Sequence, residues 1–426
     1  MNLKKFGKVI LCRQLERQVR QLRKKNDFKV IAVAGSVGKT STKLAIAKTL
    51  AAGHKVLYQD GNYNDRLTVP LIFFGQTEPG IYNVFAWRTI LRDNKRQLQQ
   101  KYPYDIVVVE LGTDGPGQLR DFAYLHPDIT VITAIADEHM EQFKTLDAVA
   151  TEELVPLSFS KQTLLSVSDT PADYLPESDS DYHSYGLYVD ADYAVSERQT
   201  RSLQGQKLTF NLPGNKSLTA EVATLGDQGS KIALAAVAVA DMLEVPIGTI
   251  KKSLAAIAPV AGRMQILAGK KGSLIIDDTY NASPVAVEAA LDVLYATEAK
   301  RRIAILGSMN ELGEDSATLH TEIGGYCNPK KLDLVVTIGH EANEYLAPTA
   351  KNQGCEVKTF DSPYEAGRYV VDQLEQGSVI LAKGSQNGVF AEEAVKQLLA
   401  NQSQARKLVR QSPHWLAVKQ RQFPNT

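Results

Sequence analysis

The sequence predicts an α/β protein. A central P-loop-type parallel-sheet domain carries a small β-rich insertion, and a C-terminal Rossmann-like α/β domain follows it. Three observations predict this. Lys29–Leu50, KVIAVAGSVGKTSTKLAIAKTL, passes from an apolar run through a glycine turn into a helix-like run. DIVVVELG (Asp105–Gly112) and ITVITAIA (Ile129–Ala136) are continuous and β-branched, the pattern of parallel strands buried on both faces. A second series of strand candidates, SLIIDDTY, RIAILGS, LDLVVTIG and SVILAKGS, alternates with helices such as Val285–Ala296 and Tyr364–Leu374.

Length and composition bound the answer. At 426 residues the chain exceeds one ordinary core, so two or three domains are expected. The expected boundaries are a basic helical arm at 1–28, a central domain at 29–260, a C-terminal domain at 261–405 and a polar, basic tail at 406–426. Acidic and basic residues balance at 48 each, which gives no case for a nucleic-acid partner. Cys12, Cys327 and Cys355 lie far apart and form neither a disulfide framework nor a zinc spacing. No apolar run reaches membrane-spanning length, and the stretch Val9–Cys12 is too short for a signal peptide. A cytoplasmic monomer is expected.

In chain order, residues 1–28 place Leu11, Leu15, Val19 and Leu22 on one helical stripe among lysines and arginines. Such a helix either lies on an anionic membrane surface or packs its stripe on the body of the protein. Residues 166–225 are richer in Ser, Asp and Tyr, and YAVSERQ and LTFNL alternate like strands, giving the β-rich insertion. GSKIALAAVAVADMLEV (Gly229–Val245) is an alanine-rich helix that should pack closely. IAPVAGRMQIL (Ile257–Leu267), with Pro259 and Gly262, reads as a domain boundary.

The motifs point to phosphate chemistry. A glycine turn between strand and helix aims backbone N–H groups at an anion, and the helix N-terminus adds favourable partial charge. Lys39 would reach terminal phosphates and the Thr40 hydroxyl would bind Mg²⁺. Glu110 ends a buried strand, where ligands of open α/β sheets sit, and a carboxylate there can hold Mg²⁺. His139 follows the next strand as a metal ligand or phosphate contact, with Asp137 and Glu138 as weaker neighbouring acids.

GSVGKTSTK, GNYNDRLTVP (Gly61–Pro70), ELGTDGPGQL, GRMQIL, IIDDTYNASPVAVEAAL (Ile275–Leu291), ILGSMNELGEDSATLH (Ile305–His320) and LAKGSQ (Leu381–Gln386) resemble the Mur ligases, the ATP-dependent amide-forming family of peptidoglycan synthesis. The likeness runs from about Val30 to Ala400 and is strongest to the type that adds D-alanyl-D-alanine to a UDP-muramoyl tripeptide. The shortened loop, with Val33 where a longer phosphate loop has glycine, is typical of that family. The resemblance implies that Gly35, Ser36, Val37, Gly38, Lys39, Thr40 and Ser41 bind ATP, and that Thr40, Glu110 and His139 hold Mg²⁺. It implies that Asn62 and Asn64 shape the substrate side of the loop and that Arg263 reaches the nucleotide from the hinge. Asp278 and Asn281 would close over ribose and base, while Lys383, Gly384 and Ser385 would lie near the incoming amine, D-Ala-D-Ala.

Three departures accompany it. The family's N-terminal UDP-sugar domain is expected to be absent, because the phosphate loop begins at Gly35. AVATEELVP offers Thr151 where the family carries a carbamylated lysine, leaving Glu152 or Glu153 to supply negative charge. GDQGSKIALAA puts Gln228, Gly229 and Ile232 at the adenine-contact positions, with Lys231 as a compensating candidate. The alternatives are a Mur-like ligase for another acid and a nucleotide-binding homologue without catalysis.

Overall fold

The computed structural model describes residues 3–61, 63–80, 83–177 and 182–424. Asn62 lies outside the described residues. Two sheets organise the chain. The first contains β1 (Lys29–Ala34), β2 (Val56–Leu57), β3 (Ile106–Glu110), β4 (Ile129–Ile132), β5 (Thr163–Ser166), β6 (His183–Leu187), β7 (Tyr193–Thr200), β8 (Gln206–Leu212) and β9 (Lys216–Val222). Its order is β2-β3-β1-β4-β5-β6-β7-β8-β9. Pairing is parallel from β2 to β7, and β7, β8 and β9 are antiparallel. The β-rich segment therefore continues the main sheet at one edge.

β1 shows why this sheet is buried on both faces. Ile31 and Val33 point into a core shared with Ala45, Ile46 and Leu50 of the helix Lys39–Leu50 and with the alanines of the helix Gly226–Met242. Val30, Ala32 and Ala34 point the other way, onto Val19, Leu22, Phe73 and Phe122. Strand alternation feeds two apolar layers at once, so β1 reads as one apolar run. Ala233, Ala236, Val237 and Ala240 bring the long helix close to the sheet because they have little side chain to interpose.

The helix Leu3–Lys25 packs its stripe inward. Cys12, Leu15, Val19 and Leu22 are buried, while Arg13, Arg17, Arg20 and Lys24 stay exposed. The protein's own body covers the apolar stripe, which a membrane therefore cannot occupy. Among the described residues no helix is long and apolar enough to cross a membrane.

The second sheet holds β10 (Gln265–Ala268), β11 (Leu274–Asp278), β12 (Arg301–Gly307), β13 (Leu334–Ile338), β14 (Val357–Phe360) and β15 (Ser378–Lys383), in the order β10-β11-β15-β12-β13-β14. It is parallel except for β10, which pairs antiparallel with β11. Sequence periodicity misses β10 and β14. Both are short edge strands, and β10 lies inside the segment whose Pro259 and Gly262 suggest a boundary. β4 ends at Ile132, four residues before the apolar run does, although Ser36 N–H still donates to Ala134 O (2.9 Å) and Ile135 N–H to Asp169 O (2.9 Å) beyond it. Thr133 donates both its N–H (3.0 Å) and its hydroxyl (3.1 Å) to Ala34 O.

Residues 406–424 are more ordered than their composition suggests. Pro413–Gln422 is a helix, and its Lys419 is buried against Glu392 (2.7 Å) and Glu393 (2.6 Å). Arg410 bridges Glu392 (2.7 Å) and the carbonyls of Thr279 (2.6 Å) and Tyr280 (2.9 Å).

Candidate active site

A cavity of about 390 Å³ separates the two sheets' domains and is lined by both. Its floor is the turn between β1 and Lys39–Leu50. Gly35 (φ +112°) lies so close to β4 that a Cβ would stand 2.4 Å from Thr133 Oγ1 and 2.7 Å from its backbone nitrogen. Only glycine fits both the conformation and the approach. Gly38 (φ +89°) begins the helix in the left-handed region.

Lys39 folds back over the loop. Its Nζ donates to Gly35 O (2.5 Å) and Ser36 O (3.1 Å) and pairs with Glu138 (3.1 Å). Burial alone would lower the Lys39 pKa, but Glu138, Glu153 and Glu110 outweigh it and raise the value. Glu153 accepts from Gly35 N–H (2.6 Å). Burial pushes its carboxyl up to about 7 against the pull of Lys39.

Thr40 and Glu110 meet as the sequence suggests: Thr40 Oγ1 donates to Glu110 Oε1 (3.2 Å). Asn64 Nδ2 reaches the same oxygen at 3.5 Å. On the other side, fully buried Lys43 lies 3.3 Å from Glu110 Oε2 and donates to Gly61 O (2.9 Å). Desolvation lowers the Lys43 pKa, and Glu110 opposes it. His139 is set against the second domain. Its Nδ1 is 2.7 Å from Glu311, and Asp114 (3.6 Å) and Glu138 (3.7 Å) flank Nε2. The bond to Glu311 raises the His139 pKa against its burial.

The facing wall comes from the hinge and β11. Arg263 Nη2 donates to Thr40 Oγ1 (3.2 Å), and its guanidinium lies 4.1 Å from the Tyr280 ring centroid. Asp278 and Lys383 form one ion pair (2.6 Å). Asp278 also accepts from Met264 N–H (3.0 Å), and Lys383 donates to Asn281 O (3.0 Å). Ser385 is buried, donating to Ala282 O (3.1 Å) and accepting from Asn310 N–H (2.9 Å).

Ser36 to Ser41, Asn64, Glu110, His139, Arg263, Asp278, Asn281 and Lys383 thus line one cleft. Gly35 sits beneath the loop. Gly384 and Ser385 stand behind Lys383, and Gly384 is wedged against Val389, Ala391 and Gly307. Of the candidates offered at the departures, one acid is kept and Lys231 is corrected. Thr151 is exposed and points away from the loop, and Glu153 is the residue of that helix that reaches it. Glu152 instead accepts from the N–H groups of Gly117 and Leu119, both at 2.6 Å. Lys231 is taken up by Asp169 and does not face the cleft. Lys43, Tyr280 and Glu311 are contributors that sequence reading missed. A lysine inside the apolar face of Lys39–Leu50 was the one available signal for Lys43.

A phosphate loop under a parallel sheet, closed by a second α/β domain carrying its own lysine and aspartate, defines a nucleotide-dependent two-domain enzyme. Comparison with known proteins narrows the class. The Mur ligase middle domain matches residues 89–240, and the Mur ligase glutamate ligase domain matches 262–386. UDP-N-acetylmuramoyl-tripeptide–D-alanyl-D-alanine ligase of Haemophilus influenzae is 30% identical over 381 residues, 86% of this chain and 76% of that protein. The enzyme of the same name from Bacillus subtilis is 27% identical over 378 residues, 87% and 76% of the two chains. The crystal structure of MurF ligase from Thermotoga maritima in complex with ADP superposes with a TM-score of 0.75 at 22% identity, covering 93% of this chain and 84% of that one. The chain belongs to the Mur ligase family.

Proposed function

We propose that this chain is an ATP-dependent, ADP-forming ligase that joins D-alanyl-D-alanine to the carboxylate of a muramoyl-peptide precursor through an acyl phosphate. The observation that carries this reading is the single cleft, with Lys39, Thr40 and Glu110 on one wall and the Asp278–Lys383 pair on the other. Two substrates can meet there with a nucleotide between them. The names of the relatives at 25–30% identity supply the substrate pair.

A carboxylate is a poor acyl donor because oxide would have to leave. In the first step its oxygen bonds to the γ-phosphorus of ATP and the bond to ADP breaks. In the second, the amine nitrogen bonds to the acyl carbon, phosphate leaves and the nitrogen gives up a proton. Lys39 and the loop N–H groups hold the phosphates and offset the charge on the transferring group. Ser36 Oγ ties the loop to Ala136 N–H (3.1 Å), which fixes its shape before ligand arrives. Asp278 holds Lys383 at the opposite wall, near the amine. The contact of His139 with Glu311 draws the two domains together over the cleft and keeps water from the acyl phosphate.

The residues fit Mg²⁺ at one place. Thr40 and Glu110 adjoin, a hydroxyl on Oε1 and a buried carboxylate whose Oε2 is balanced by Lys43 at 3.3 Å, which is a donor set of the hard oxygen kind that Mg²⁺ takes. Mg²⁺ commonly takes one or two carboxylates plus substrate phosphates, so this pair would hold it. Bound there, the ion would supply charge neutralisation on the phosphates. Among the described residues no group of three or more His, Cys, Asp or Glu is placed to hold a metal ion, and His139 Nδ1 is 2.7 Å from Glu311. We further propose that it acts as a monomer in the cytoplasm, where ATP is available.

The test is ADP release by purified protein with Mg-ATP and D-alanyl-D-alanine, with and without a UDP-muramoyl tripeptide. Release that requires both substrates is expected. Release indifferent to either one would overturn the substrate assignment.

A further inference from the structure

The outward faces of two neighbouring helices carry a pattern that the cleft does not use. Leu3–Lys25 and Val84–Gln97 lie side by side and parallel. Gln18 Nε2 donates to Leu91 O (2.9 Å), Asn94 Nδ2 to Gln18 Oε1 (2.9 Å) and Lys25 Nζ to Leu98 O (3.1 Å). Their inward sides share one core of Cys12, Leu15, Trp87 and Ile90. Their outward sides are basic: Arg13, Arg17 and Lys24 on the first helix and Arg88, Arg92 and Arg96 on the second are exposed. Asp93 faces both Arg92 (3.6 Å) and Arg96 (3.3 Å), so one negative charge meets two positive ones.

Where both helices begin, the same surface turns apolar. Ile10 is 41% exposed, Val84 56% and Phe85 81%. Large apolar side chains held in water beside a row of cations are the mark of a surface that enters a lipid interface. Its place in the fold suits the reaction. Leu3–Lys25 turns back into β1 within a few residues, so its first half extends toward the end of the sheet that bears the phosphate loop. Glu16 pairs with Arg66 (2.7 Å), two residues beyond Asn64, which reaches Glu110.

We propose that this two-helix face docks on an anionic lipid bilayer, with Ile10, Val84 and Phe85 entering the headgroup layer and the arginines meeting lipid phosphates. A nucleic acid would use the arginines but gives no reason for the apolar corner, and the chain as a whole carries no net positive charge. The inference goes beyond the ligase reading and does not depend on it.

Cosedimentation of the full chain with phosphatidylcholine vesicles, with and without one part in three of phosphatidylglycerol, tests it. Binding to the anionic vesicles only, and release by salt, is expected. Arg88→Gln combined with Arg92→Gln should lower the partition coefficient about 25-fold, at about fivefold per cation. Phe85→Ser should lower it about tenfold. Both variants should keep wild-type melting and nucleotide binding, since neither site touches the cleft. No cosedimentation with anionic vesicles at low salt would overturn the proposal. So would unchanged binding by Phe85→Ser together with equal retention on duplex DNA, which would reassign the face to a polyanion.

Discussion

At the scale of single residues, the phosphate loop is organised around charge that is already in place. Lys39 is held by Glu138 and two loop carbonyls, so a γ-phosphate has only to replace one carboxylate. Lys39→Ala should lower substrate-dependent ADP release by about 10²–10³-fold while leaving the melting temperature near wild type. A coupled ADP assay and a thermal melt read the two together, and retained turnover would remove Lys39 from the reaction. Glu153 makes a separate prediction. Its folded pKa, about 7, stands above the ordinary 4.5, so the fold prefers the neutral carboxyl. The stability that this preference gives is full below pH 4.5 and is lost as pH rises through about 7. Glu153→Gln keeps an acceptor for Gly35 N–H without the charge. It should melt like wild type in acid and gain on the order of 3 kcal/mol relative to it above pH 7. Parallel melting curves across that range would show that Glu153 does not titrate there.

At the scale of elements, the C-terminal helix is a brace for the nucleotide wall. Arg410 joins Glu392 to the carbonyls of Thr279 and Tyr280, and Lys419 fills the remaining buried acid positions. Removing one partner from a buried ion network leaves uncompensated charge. Arg410→Met should therefore cost about 3–5 kcal/mol in urea unfolding. It should also raise the KM for ATP more than it lowers kcat, since Tyr280 and its Arg263 contact lose their support. An unchanged KM would make the tail a stabilising element only. Composition made this segment look like a polar tail, because a sequence records Arg410, Lys419, Glu392 and Glu393 as charges and not as partners. The opposite held for Leu3–Lys25. Its apolar stripe was legible from spacing, but what covers the stripe depends on Leu67, Leu71 and Trp87, which are distant in the chain. The segments of β7 and β8 alternate legibly, yet nothing local says that they extend the main sheet.

At the scale of the molecule, the two domains share one apolar contact, Leu203 and Leu225 with Val287 and Leu291, and meet across the cleft through polar ones. Arg263 reaches Thr40, His139 reaches Glu311, and Met140 N–H donates to Glu311 O (3.1 Å). Such contacts can be exchanged for substrate contacts, as a closing enzyme requires. The part of the site legible in the sequence is the part built locally. Strand, glycine turn and helix announced Lys39 and Thr40, and Glu110 followed from its strand end. Lys43, Tyr280 and Glu311 act by facing residues far away in sequence, and only the fold brings them there. The central claim is that one cleft forms an acyl phosphate and then an amide. Its most direct measurement is the fate of isotopic oxygen in the acid substrate. With the carboxylate labelled with heavy oxygen, turnover with ATP and D-alanyl-D-alanine should place one labelled oxygen in the released phosphate for each amide formed. Amide formation with unlabelled phosphate would contradict the account.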